Sequence, residues 1–186
     1  MIDTPQIIQT TPLTTARIHL TLSREEMPKV FGACVGELIA GIQAQGIQPV
    51  GPIFTHHLRR PADTFDFDLC VPVATPVAAA GRIQPGEWPA MRVARTIYRG
   101  PYEGLAEGWG EFMDWIEKND HREADDLYEC YVTGPHSDPD PATWQTELSR
   151  PLASGNRAGK LSHGWKHGMK KFPPCFVREI PWLVRR

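Results

Sequence analysis

One stretch near the middle of the chain reads Arg95-Thr96-Ile97-Tyr98-Arg99-Gly100-Pro101-Tyr102-Glu103. Its β-branched and aromatic residues up to Tyr98 predict a strand, which we place over residues 91–98. Gly100 and Pro101 stop that strand, and proline is well accepted in the first turn of a helix. The stretch therefore predicts a strand that leads directly into a helix.

The residues after this stretch continue the pattern. Apolar residues recur at helical spacing, and glutamates occupy the opposite side of the same helix. The apolar stripe consists of Leu105, Trp109, Phe112 and Ile116. We predict two further strands, over residues 127–133 and 144–148. The second half of the chain is thus expected to run strand, helix, strand, strand.

The first half repeats that order. Residues 6–22 predict a strand region with an irregularity near Pro12. Ser23 and Glu26 form a capping box, and an amphipathic helix follows and ends near Gly46. Residues 50–58 and 65–73 predict two strands, and a connection over residues 72–85 links the halves. The duplication predicts a pseudo-twofold α+β domain with a cleft, built from repeats over residues 5–75 and 82–152.

Composition and charge narrow the class of protein. With 186 residues, 41% of them hydrophobic and 23% charged, the chain has the composition of a globular domain. It has no apolar run long enough to span a membrane, and its N-terminus does not resemble a secretory signal. Four widely separated cysteines favour reduced thiols. We therefore expect a cytoplasmic protein with no membrane partner.

Charge divides the chain into an acidic domain and a basic extension. Residues 1–152 carry 12 lysines and arginines against 21 aspartates and glutamates, whereas residues 153–186 carry 8 against 1. So acidic a domain disfavours a nucleic-acid partner, except through the basic extension. The extension also carries aromatic residues, Trp165, Phe172, Phe176 and Trp182, so we expect it to dock rather than to remain purely solvated.

Several segments together resemble one family. These segments are the stretch quoted above, Tyr128-Glu129-Cys130-Tyr131-Val132-Thr133-Gly134-Pro135, Trp144-Gln145-Thr146-Glu147-Leu148, Gly51-Pro52-Ile53-Phe54 and Asp68-Leu69-Cys70-Val71-Pro72-Val73. Together they resemble the GyrI-like small-molecule-binding domains, also called AraC-type effector-binding domains. The resemblance covers residues 5–152 and suggests a stand-alone member. It implies two βαββ-type repeats that form a concave antiparallel sheet, with helices on one side and a central ligand cleft.

The resemblance also implies the function. Members of the family bind flat, hydrophobic and often cationic drug-like molecules, which predicts multidrug binding or sequestration and resistance to toxins. Two alternatives remain open. One is a hydrolase that opens the cyclopropane of DNA-alkylating natural products, and the other is a gyrase-inhibitor-like or regulatory module that binds a protein, with a homodimer as a further possibility.

Glu129 is the main candidate for the site. It alternates with Tyr128 and Cys130 along its strand and shares a face with Tyr131. A lone strand glutamate is usually an exposed residue, but the resemblance implies a carboxylate that meets a cationic ligand. If the protein is an enzyme, we predict Glu129 as the base and Tyr131 as a hydroxyl donor, with Tyr98 and Tyr102 as alternative donors.

The remaining candidates for ligand binding are mostly aromatic, because aromatic rings stack on flat cations. They are Phe54, Trp88, Tyr98, Tyr102, Trp109, Tyr131 and Trp144, together with His57 and Asp68. We expect no cofactor and no metal. His56 and His57 point to opposite sides of a strand, and His163 and His167 have helical ligand spacing but lack the glutamate of the usual zinc motif.

Overall fold

The computed structural model describes residues 1–59, 61, 63–135 and 137–153. Except for Ala153, the basic extension lies outside the described residues, as do His163 and His167. The strands are β1 (Gln6–Gln9), β2 (Leu13–Ser23), β3 (Phe54–His57), β4 (Thr64–Pro72), β5 (Gln84–Trp88), β6 (Arg92–Arg99), β7 (Leu127–Thr133) and β8 (Gln145–Pro151). The helices are α1 (Met27–Ala44) and α2 (Leu105–Lys118), and short 3-10 turns cover Tyr102–Gly104 and Pro141–Thr143.

The eight strands form one antiparallel sheet in the order β1-β6-β8-β7-β3-β4-β2-β5. The central six strands are arranged symmetrically about the β7–β3 pair. β3 belongs to the unit β2-α1-β3-β4, and β7 belongs to the unit β6-α2-β7-β8, so each unit forms one half of the central sheet. The two predicted βαββ-type repeats and the α+β class are therefore confirmed.

One face of the sheet carries both helices. A row of buried residues crosses this helix-covered face through directly paired positions: Ile18, Leu69, Thr55, Glu129, Leu148 and Thr96. Ile18 and Leu69 pack in the cluster that includes the buried side of α1, and Leu148 packs in the cluster of α2. Glu129 is the one ionisable residue in this row.

The sheet curls so that its two ends approach each other on the opposite, helix-free face. Only residues 10–12 separate β1 from β2, and only residues 89–91 separate β5 from β6. Each link nevertheless joins strands from opposite ends of the sheet order, and a link this short spans roughly 14 Å at most. The Thr10 hydroxyl donates to the Pro89 carbonyl at 3.0 Å and ties the links together.

Two strand predictions need correction. Residues 6–22 form two strands rather than one, because the chain passes at residues 10–12 from the edge beside β6 to the opposite end of the sheet. The predicted connection over residues 72–85 also ends inside a strand, β5, which sequence reasoning missed. Pro85 and Gly86 hide its pattern, and proline is tolerated there because β5 is an edge strand.

Tyr98 controls how closely α2 approaches the sheet. Its hydroxyl donates to the Pro101 carbonyl at 2.8 Å, and its ring lies against the glycines at the start of α2. A β-carbon at Gly108 would lie 2.5 Å from Cδ2 of Tyr98, whereas a β-carbon at Gly110 would meet nothing within 4 Å. The two glycines, two residues apart in one helix, therefore provide a matched pair.

We predict that Gly108→Ala destabilises the fold and that Gly110→Ala does not. The new methyl group at position 108 would push against the Tyr98 ring and lower the free energy of unfolding by about 1–3 kcal/mol. At position 110 the better helix propensity of alanine should raise it by up to about 1 kcal/mol. Urea unfolding of both variants measures the difference, and equal free energies would contradict the close approach of α2.

Candidate ligand-binding site

Glu129 lies at the centre of the helix-covered face, with only 5% of its surface exposed. The Trp109 indole N–H, from α2, donates to its Oε1 at 2.7 Å, and the Tyr131 hydroxyl donates to its Oε2 at 3.1 Å. Both donors are also buried. The carboxylate therefore lies in an environment that excludes water and offers it hydrogen bonds.

β3 supplies the other half of this polar cluster. Thr55 pairs directly with Glu129, and its Oγ1 lies 3.3 Å from the Tyr131 hydroxyl and 3.1 Å from Nε2 of His57. The same Nε2 lies 3.8 Å from Oε2 of Glu129. His57 is 1% exposed, and within the described part of the chain its Nδ1 has no hydrogen-bond partner. The cluster therefore joins the two halves of the sheet.

The hydrogen bonds and charges around Glu129 lower its pKa below the ordinary value of 4.5. Burial by itself acts in the opposite direction, because it removes water from the charged form. The neighbouring imidazole of His57 and the donations from Trp109 and Tyr131 outweigh burial. Glu129 is therefore a carboxylate at neutral pH.

Aromatic rings surround the Tyr131 side of the cluster. Phe31 of α1 meets Tyr131 edge-on with ring centres 6.1 Å apart, and Tyr102 does so at 5.9 Å. Trp144 lies 4.9 Å from Tyr102. Phe31 was missed as a site residue because its helical spacing indicates core packing. Only the tertiary contact with Tyr131 shows that Phe31 also borders the polar cluster, on the side of α1 that faces α2.

The structure thus brings together six of the candidates from sequence, namely Glu129, Tyr131, Trp109, His57, Tyr102 and Trp144. Tyr98 lies on the same face, but it packs beneath the start of α2. Thr55 was not predicted. A threonine in a strand carries no signal of its own, and its position follows from the pairing of β3 with β7.

Phe54, Asp68 and Trp88 lie on the helix-free face. Asp68 accepts from Nη1 of Arg17 at 2.5 Å and pairs with Nδ1 of His19 at 2.9 Å. Phe54 and Asp68 line a groove of about 450 Å³. Asp68 alternates with Phe67 and Leu69, which pack on the helix-covered face, so it does not share the Glu129 cluster.

Two further tests concern metals and membranes. Among the residues that the structure describes, no group of three or more histidine, cysteine, aspartate or glutamate side chains could hold a metal ion. No helix in the same part of the chain is long and apolar enough to cross a membrane.

Comparison with known proteins gives one family and several similar structures. The family model described as the GyrI-like small molecule binding domain matches residues 3–153. No curated protein matches the sequence. The fold is similar to that of EcmrR in a complex with DNA, with a TM-score of 0.71 and 20% identity over 81% of this chain. This chain spans 57% of that EcmrR chain.

Two more solved structures have a similar fold. The isolated EcmrR C-terminal domain has a TM-score of 0.67 and 19% identity, over 80% of this chain and 96% of that one. SAV2435 bound to tetraphenylphosphonium has a TM-score of 0.60 and 15% identity, over 81% of this chain and 94% of that one. At these identities the similarity to solved structures shows the fold alone.

Acid unfolding tests the electrostatics of the cluster. Because the pKa of Glu129 is lower in the fold than in the unfolded chain, its carboxylate stabilises the fold above about pH 4.5. That contribution is lost as the pH falls through the lowered pKa. We predict that Glu129→Gln loses less stability than the wild type between about pH 5 and about pH 3, as measured by urea unfolding.

Glu147→Gln is the matched comparison. Burial raises the pKa of Glu147, although the charge of Arg95 opposes this, so the fold favours the protonated form. The wild type therefore gains a contribution from Glu147 as the pH falls, and Glu147→Gln should lose stability more steeply than the wild type. The same acid slope in all three proteins would contradict both assignments.

Proposed function

The chain belongs to the GyrI-like small-molecule-binding family, and on that premise we propose that it binds flat, hydrophobic, often cationic molecules beside Glu129. The observation that carries the proposal is the buried carboxyl group of Glu129, which accepts hydrogen bonds from Trp109 and Tyr131. A buried anion is costly unless a cation or several donors compensate it. Trp109 and Tyr131 supply donors, the His57 imidazole lies 3.8 Å away, and the ion pairs of the lysines and arginines among the described residues do not include Glu129. A cationic ligand would add a direct counter-charge to this carboxylate.

The aromatic rings supply the second part of the recognition. Phe31, Tyr102, Tyr131 and Trp144 form a connected group beside the carboxylate. Rings of this kind bury large apolar areas and attract cations through their faces. These rings are buried and cover the carboxylate. We therefore propose that a ligand enters between α1 and α2 by moving the rings apart.

The pKa of Glu129 favours binding over catalysis. A general base works best when its pKa lies near the working pH, whereas the pKa of Glu129 is lowered. A permanent counter-charge needs the opposite property, a carboxylate that stays ionised. Hydrolysis of a strained natural product by Glu129 and Tyr131 is therefore the weaker alternative. Binding without turnover would let the protein sequester toxic cations.

SAV2435, with the same fold, is bound to a lipophilic aromatic cation, tetraphenylphosphonium. This supports the same ligand class for the present chain. The similarity of this fold to EcmrR in its complex with DNA supports a different function, that of a regulatory module that acts on a macromolecular partner. We rank that idea second, because it does not use the buried carboxylate.

Two ions of the same shape and opposite charge test the proposal. We predict that the protein binds tetraphenylphosphonium and does not measurably bind tetraphenylborate, as followed by isothermal titration calorimetry. Glu129→Gln should weaken tetraphenylphosphonium binding about tenfold or more, because the buried counter-charge is lost.

Glu147→Gln is the control, since Glu147 is a half-buried carboxylate on the other face of the sheet. It should bind tetraphenylphosphonium as the wild type does. Equal binding of the two ions, or equal weakening by the two substitutions, would rule out Glu129 as the counter-charge.

A further inference from the structure

One side of α2 is exposed and strongly acidic, whereas the apolar stripe on its other side is buried. Residues three or four positions apart share a side of a helix. At this spacing α2 and the turn before it carry the exposed carboxylates of Glu103, Glu107, Glu111, Asp114 and Glu117. We call this surface the α2 acidic face. The one basic residue within residues 103–118 is Lys118.

The charges of the α2 acidic face are not neutralised by the described residues. The ion pairs in this part of the chain do not include any of the five carboxylates. Burial raises the pKa of the Tyr98 hydroxyl, and the charges of three of these glutamates, Glu107, Glu103 and Glu111, raise it further. Like charges four residues apart also destabilise a helix. A positively charged partner would therefore stabilise this face.

The acidic groups of the groove on the helix-free face differ, because they already have partners. Asp68 pairs with Arg17 and His19, and Asp126 pairs with His56. A basic segment would have to replace these pairs in the groove, whereas on the α2 acidic face it would form new ones.

The basic extension begins beside the end of α2. The backbone N–H of Ala153 donates to the Arg122 carbonyl at 2.8 Å, and Leu152 pairs with Glu123. Only residues 119–121 separate α2 from Arg122. The 14 residues of α2 are about 21 Å long, whereas a chain of the length of residues 154–186 can extend over roughly 100 Å. The extension is therefore long enough to reach every carboxylate of the face.

We propose that residues 154–186 bind the α2 acidic face of the same chain. The basic extension carries eight lysines and arginines against one glutamate, so its charge is opposite to that of the face. A single exposed ion pair is weak, but a tethered segment has a high effective concentration, and several weak pairs then act together. The positive charges are used within the chain, so the extension is not free to bind a nucleic acid. This contact does not depend on ligand binding at Glu129.

A nitroxide attached to Cys175 of the basic extension tests the proposal in the ¹⁵N-labelled full chain. Cys34 and Cys70 are buried, and burial raises the pKa of Cys130 to about 12, so these thiols react slowly. Cys175→Ser treated with the same reagent reports any label elsewhere. We expect the strongest broadening at the amide signals of residues 103–117. It should fall about twofold or more when NaCl is raised from about 0.05 M to about 0.5 M, because salt screens exposed charges.

Two double substitutions form a matched pair. Glu107→Gln with Glu111→Gln removes two charges from the α2 acidic face and should reduce the broadening about twofold or more. Glu25→Gln with Asp63→Asn removes two exposed carboxylates outside α2 and should leave the broadening unchanged. Equal effects of the two pairs, broadening centred on the groove of the helix-free face, or no broadening at all would overturn the proposal. The salt titration of the wild type gives the same decision without any substitution in α2.

Mixed samples distinguish binding within one chain from binding between copies. Nitroxide-labelled chain without ¹⁵N is mixed with ¹⁵N-labelled chain without nitroxide, so only contacts between copies broaden the signals. We expect no broadening in the mixture, and broadening of residues 103–117 there would assign the face to the extension of a second copy instead. An equimolar DNA duplex should leave the broadening in the singly labelled chain unchanged. Relief of the broadening by DNA would show that the extension prefers a nucleic acid, against the proposal.

Discussion

The antiparallel pairing of β3 with β7 holds the two halves of the sheet in register. It joins the two βαββ units at the centre of the sheet, with Thr55 opposite Glu129 and Phe54 opposite Cys130. A shift of one residue would exchange the two faces of β3 relative to β7. Thr55 and His57 would then leave the buried carboxylate, and Phe54 would leave the aromatic group around Trp88.

The polar cluster on the helix-covered face gives this pairing its specificity. Glu129 receives donations from α2 and from its own strand, and β3 contributes Thr55 and His57 beside them. Hydrogen bonds of this kind are strengthened by the low dielectric of a core, and within the described cluster only Nδ1 of His57 lacks a partner. The helix-free face differs, because its charged groups form ion pairs, Asp68 with Arg17 and His19 and Glu147 with Arg95. One sheet thus presents two chemically different environments.

Much of the fold could be predicted because it depends on local patterns. Helical spacing located both helices, and the doubled order of strands and helices indicated two βαββ units. The prediction for β7, residues 127–133, is confirmed without change. Local patterns failed at β5, where Pro85 and Gly86 contradict the usual signals, and at residues 10–12, where a short link changes the partner strand. Both features arise from the closure of the sheet, which brings together residues far apart in sequence.

Local sequence patterns were enough to predict the class of fold, the alternation that places Glu129 and Tyr131 on one face, and the acidic character of residues 1–152. Which strands are neighbours became known only from the folded chain. The strand pairing added Thr55 and Phe31 to the Glu129 cluster and placed Asp68, Phe54 and Trp88 on the opposite face. The physical reason is that side-chain alternation is a property of a single strand, whereas a binding site is formed by strands whose pairing depends on contacts between distant parts of the chain.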